Sequence, residues 1–124
     1  MATMRTMAVR VRVERHSCCV YYHRAVELVG KRWTGAILAV LLDGPLHFSE
    51  IRRLVPDISD RLLSERLKEL EAEGMVERRV IDGSPVRTEY TLTEKGQALE
   101  PAVRALQSWG RDWLGQPARR SSRG

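Results

Sequence analysis

At 124 residues, with 43% hydrophobic and 30% charged side chains, the chain has the size and composition of one globular domain. Its longest apolar run, Ala36 to Leu42, is far shorter than the ~20 residues that span a bilayer. The net charge of +5 resides in the ends: Arg5, Arg10, Arg12 and Arg15 outweigh Glu14, and Arg119, Arg120 and Arg123 face no acid, so residues 18–114 are slightly acidic. Total charge is therefore poor evidence for a nucleic-acid partner, and a binding surface must come from how charge is arranged.

Residues 1–17 lack the apolar stretch of a secretory signal. They are Arg-rich and acid-poor, a weak likeness to a transit peptide. A disordered basic tail, or residues upstream of a start at Met4 or Met7, is the preferred reading. Residues 115–124 read as a second basic, disordered tail. Cys18 and Cys19 are adjacent, which is no disulfide framework and, with the missing signal, points to a reducing cytoplasm. His16, Cys18, Cys19 and His23 are metal-ligand types without a recognised metal spacing, so no metal and no cofactor is expected.

The spacing of Val20, Ala25, Val26, Leu28 and Val29 predicts a first helix from Cys19 to Val29, ended by Gly30. A second runs from Thr34 to Leu42 and stops at Asp43-Gly44-Pro45. Phe48, Ile51, Leu54 and Val55 predict a short third helix, ended by Pro56. Ser59 then opens a fourth helix as N-cap, and Gly74 closes it. Its Leu63, Leu67 and Leu70 form one apolar stripe, while Arg61, Ser64, Glu65 and Lys68 fall on the opposite side. Two short helices joined this tightly make a helix-turn-helix whose polar side fits a DNA major groove. A charged face alone also describes an ordinary solvated helix. The weight shifts because Met75–Ile81, the turn Asp82–Pro85, and Val86–Leu92 read as a hairpin directly after it. The fold class expected is mainly α with a small β-hairpin wing.

Thr93 is the expected N-cap of one final helix reaching about Leu114, kinked by Pro101. Leu99, Val103, Leu106, Trp109 and Trp113 recur along it, more apolar surface than a small core covers. With Val26 of the first helix they are the expected homodimer interface; packing back on the same domain is the alternative.

Three stretches carry a family resemblance: CVYYHRAVELVGKRWTGAIL, GPLHFSEIRRLVPDISDRLLSERLKELEAEGMVERRV and PVRTEYTLTEKGQAL. Together they strongly resemble HxlR-type winged helix-turn-helix transcriptional regulators of bacteria. The resemblance covers residues 19–114 and implies a homodimeric repressor or activator. It makes Ser59–Glu71 the recognition helix and Arg78–Leu92 the wing, with the first and last helices forming the dimer. Carried onto this chain, Ser59 meets a phosphate, Arg61 pairs with guanine, Glu65 accepts from cytosine and Lys68 holds a phosphate. Ser64 lies among them. Arg52 and Arg53 reach the DNA backbone, and Arg87 either enters a minor groove or pairs with Glu89 or Glu77. Arg66 reads as a structural ion-pair residue with Glu69 or Glu50, Trp33 and Tyr90 as packed, and His47 as a surface or capping residue.

Some members of that family resemble redox sensors with a cysteine just before the first helix, the place Cys19 holds. Cys18 and Cys19 are thus candidate redox residues, against the alternative of an inert cysteine at the dimer seam. The expected partners are double-stranded DNA and a second copy, with no membrane. A winged-helix protein-interaction module without DNA binding is the competing function. No Gly-rich phosphate loop, nucleophile–base pair or catalytic carboxylate pair is recognisable, which argues against an enzyme.

Overall fold

The computed structural model describes residues 19–115. Both expected tails beyond that range, with Cys18 and His16, lie outside the described residues. The elements run α1 (Val20–Val29), α2 (Thr34–Leu41), β1 (Leu46–His47), α3 (Phe48–Leu54), α4 (Asp60–Ala72), β2 (Val76–Ile81), β3 (Arg87–Leu92), α5 (Glu94–Gln97) and α6 (Glu100–Leu114). The fold is mainly helical with a small antiparallel sheet, the winged helix-turn-helix arrangement.

Each helix end has a local cause. Gly30 closes α1 by donating its N–H to the Val26 carbonyl at 2.7 Å. Trp33, ahead of α2, sits in the left-handed region with φ 76°. That conformation costs a side-chain-bearing residue about 1–2 kcal/mol. The partly buried indole packs on the core and carries the Arg32 guanidinium 5.0 Å from its ring centre, which offsets the cost. At the far end of α4, Gly74 takes φ 75°, the Met75 N–H donates to the Leu70 carbonyl and the Gly74 N–H to that of Glu71. This is the paired closure expected where a glycine follows a helix.

The core gathers Ile37, Leu38 and Leu41 of α2, Ile51 of α3, Leu63, Leu67 and Leu70 of α4, and Val76 and Tyr90 of the sheet. Burying a side chain of this size stabilises the fold by roughly 1.5–3 kcal/mol. Burial also pushes the Tyr90 hydroxyl above its ordinary pKa, against an opposing pull from Arg78.

Two features differ from the sequence reading. The sheet has three strands in the order β1-β3-β2, with Leu46 opposite Tyr90 and His47 opposite Glu89. A two-residue strand is too short to show an alternating pattern. The terminal segment is two helices rather than one kinked helix. α5 stops after one turn, Ala98 and Leu99 intervene, and Pro101 stands in the first turn of α6. There its missing N–H breaks no helical hydrogen bond.

A clasp joins the end of α4 to the start of α5. Thr93 caps α5 by accepting from the Gly96 N–H at 3.2 Å, and its hydroxyl donates to the Gly74 carbonyl at 2.6 Å. The Thr93 N–H donates to the Met75 carbonyl at 3.0 Å, and Lys95 Nζ to the Glu73 carbonyl at 2.7 Å. Gly96 is buried against the same Met75 carbonyl, where any Cβ would collide with that oxygen and press on the Leu92 side chain. Gly96→Ala is therefore expected to lower stability by about 1–3 kcal/mol, read as a shift in the urea unfolding midpoint. An unchanged midpoint would show that the clasp yields.

Candidate nucleic-acid interface

The candidate surface is built from α3, the turn Pro56–Ser59, α4 and the β2–β3 wing. Val55, preceding the proline, leaves the helical region at φ −118°, ψ 79°. Asp57 takes φ 77°, a conformation that aspartate tolerates better than most residues. Ile58 is buried and pegs the turn to the core. Ser59 then caps α4, its Oγ accepting from the Leu62 N–H at 3.1 Å. Arg52, in the last turn of α3, reaches Asp60 across the turn at 3.3 Å.

The leucine stripe fixes which way α4 faces. Leu63, Leu67 and Leu70 are buried, and the Arg61 side chain on the other flank is 83% exposed. Lys68 and Glu65 lie beside it and are exposed. Ser64 is half-buried, because it sits only roughly 60° around the helix from Leu67. Glu65 is engaged within the chain: Arg61 Nη1 lies 3.1 Å from its carboxylate. Arg66 is a strut, with a side chain 13% exposed. Its Nε donates to the Arg32 carbonyl at 3.0 Å, and Nη1 lies 3.4 Å from Glu69. Glu69 also receives Lys31 at 3.1 Å, so one carboxylate ties α4 to the α1–α2 link.

On the wing, Arg79 takes Glu89 at 3.7 Å and Arg78 takes Glu71 at 3.6 Å. Arg87 is exposed and, like Arg53 and Lys68, has no ion-pair partner among the described residues. It shares a groove with His47, Phe48, Ser49 and Thr88 at the start of α3. Ser49 also lines the cleft over the turn with Arg52, Arg53 and Ser59. Sequence reasoning passed over Ser49, since only the pairing of β1 with β3 brings the wing against α3. His47 is the capping residue, its backbone N–H donating to Glu50 at 2.7 Å while its ring faces the Thr88 carbonyl at 3.3 Å.

The residues expected at a subunit seam divide. Val103 is buried in the chain's own body at 6% exposure, and Leu99 packs on the core. Leu106, Trp109 and Trp113 remain exposed, the tryptophans at 55% and 68%. They centre roughly 90° around α6 from Val103, so one helix carries an inward and an outward apolar stripe. Val26, with Tyr21 and Tyr22, is exposed on α1. Cys19 is exposed at the N-cap of α1, where its carbonyl accepts from the His23 N–H. Among the described residues no three His, Cys, Asp or Glu side chains are grouped to hold a metal ion, and no helix is long and apolar enough to cross a membrane.

A leucine-anchored helix presenting arginine and lysine outward, next to a hairpin wing that carries exposed Arg87, is the arrangement of a helix-turn-helix transcriptional regulator. The chain belongs to the HxlR-like helix-turn-helix family, whose sequence pattern matches residues 28–118. It is 48% identical over 96 residues to the uncharacterised HTH-type transcriptional regulator YvaP of Bacillus subtilis, covering 77% of this chain and 89% of that one. To the HTH-type transcriptional regulator YodB of the same organism it is 48% identical over 94 residues, covering 76% and 84%. The reduced form of YodB superposes with a TM-score of 0.69 at 46% identity, over 78% of this chain and 95% of that one. The redox regulator HypR in its oxidised form gives 0.71 at 38% identity, over 74% and 95%. A quinone-bound form of YodB is also similar, at 0.66 and 45% identity, over 77% and 100%.

The Ser59 cap is the simplest contact here to test. Ser59→Ala is expected to cost about 1 kcal/mol, and Ser59→Gly only a few tenths, in denaturant unfolding. Equal losses from both would mean that the hydroxyl does not hold the start of α4.

Proposed function

We propose that this regulator binds a palindromic operator as a homodimer in the bacterial cytoplasm, with α4 in the major groove and the wing on the flanking backbone. The observation that carries the reading is the roll of α4: its leucines are buried and Arg61 is 83% exposed. Arg61 reads a guanine, and Glu65, 3.1 Å away, steadies it. Ser59, Ser64 and Lys68 complete the contact on α4. Arg52, Arg53 and Arg87 neutralise phosphates along its edges. The dimer forms through the outward stripe of α6, with Leu106, Trp109 and Trp113, and through α1 with Val26. Leu99 and Val103 support that stripe from within. Two copies of α4 related by a two-fold axis set half-sites about 10 bp apart or a multiple of that.

The exposed N-cap position of Cys19, in a chain similar to a redox regulator and to a protein solved with bound quinone, supports a thiol-responsive switch. Cys18 is its sequence neighbour and the second candidate.

Selection of bound duplexes from random DNA, with and without a thiol oxidant, tests the whole reading. A palindromic winner whose binding changes on oxidation, with the change lost in Cys19→Ser, is the expected result. Recovery of no preferred sequence would leave a protein-interaction module instead. Arg61→Ala should weaken specific binding by about 1–3 kcal/mol and relax one base position, whereas Lys68→Ala should weaken all sequences alike and lower the salt slope by about one. Trp109→Ala combined with Trp113→Ala should shift sedimentation toward monomer; a persisting dimer would place the seam elsewhere.

A further inference from the structure

A cleft of about 400 Å³ lies between α1 and the C-terminal half of α4, and Arg24, Leu28, Lys31, Thr34, Glu69 and Leu70 line it. Small-molecule sites span about 300–1,000 Å³ and join an apolar floor to a few polar groups. Leu28 and Leu70 supply such a floor.

The charges at the rim are unevenly matched. Glu69 has Lys31 at 3.1 Å, Glu73 has Lys95 at 3.9 Å, and Glu27 faces the His23 imidazole at 3.5 Å. Arg24, also on the rim, has no ion-pair partner among the described residues. Thr34, 2% exposed, stands at the inner end of the same lining.

We propose that this cleft is a binding site for a small organic monocarboxylate. The apolar body rests on Leu28 and Leu70. The carboxylate meets the Arg24 guanidinium, whose planar donors suit it, and Thr34 donates a further hydrogen bond. A dianion is disfavoured because Glu27, Glu69 and Glu73 repel a second negative charge. The site clamps α1 to the end of α4, beside the Lys31–Glu69 pair. Ligand binding itself does not depend on α4 reading DNA.

Calorimetric titration of the full chain, without DNA, tests the site with benzoate and hexanoate as probes and benzamide as the uncharged control. Saturable binding of at least one carboxylate is expected, with benzamide about tenfold or more weaker, the loss of one charge-assisted contact. Arg24→Gln should weaken the carboxylate about tenfold with an unchanged melting temperature, and Thr34→Val should weaken it less. Arg24 is exposed on α1, so its variant decides the matter even if Thr34→Val loses stability. The proposal is overturned if neither carboxylate binds at millimolar concentration, if benzamide binds as well, or if Arg24→Gln binds like the parent. Because no duplex is present, this outcome stands apart from that of the operator selection.

Discussion

The burial of Leu63, Leu67 and Leu70 in one seam governs the molecule. A helix rolled by one residue would turn through about 100° and put arginine where leucine belongs. Desolvating an unpaired guanidinium costs far more than a leucine gains, so α4 has one permitted orientation. Everything attributed to the outer face inherits that constraint. Arg66 reinforces it from the flank, since its stem lies at the edge of the core while its head is held by the Arg32 carbonyl and Glu69.

The ends of α4 are secured by different means. Ser59 and the Arg52–Asp60 pair hold the beginning, where α3 approaches. The left-handed Gly74 and its two backbone bonds hold the finish, and send the chain directly into β2. The wing is tied to the same helix by Arg78 and Glu71. The exposed cations of α4 and those of the wing are therefore set on one frame, and their spacing owes little to loop conformation.

Legibility followed locality. Ser59, Pro56, Gly74 and Thr93 act on their near neighbours, and the leucine stripe repeats within one helix, so these features could be read in a line of letters. The engagement of Arg66 with Glu69 was legible for the same reason. By contrast, β1 exists only because Leu46 meets Tyr90 from far along the chain. The separation of α5 from α6 was missed because an apolar period runs through Leu99 and Val103 without a break. Pro101 signals a disturbed helix but not whether it bends or begins one. Periodicity located the apolar residues of α6 yet not their division into two stripes, as that depends on where α2 lies; Arg104, reaching Asp43 at 3.2 Å, helps settle α6 there. The pairing of Glu65 with Arg61 was visible as an i,i+4 spacing, but a reading centred on base contacts gave the two side chains separate duties.

The clasp at Thr93 and Lys95 has a mechanical consequence. Three hydrogen bonds and a side-chain-free approach weld the exit of α4 to α5, the one-turn helix from which the tryptophan-bearing arm α6 continues after Ala98 and Leu99. No slack loop separates the two. Torque applied at the base of that arm must either carry Gly74 along or rupture the weld, which makes the joint a stiff lever rather than a hinge.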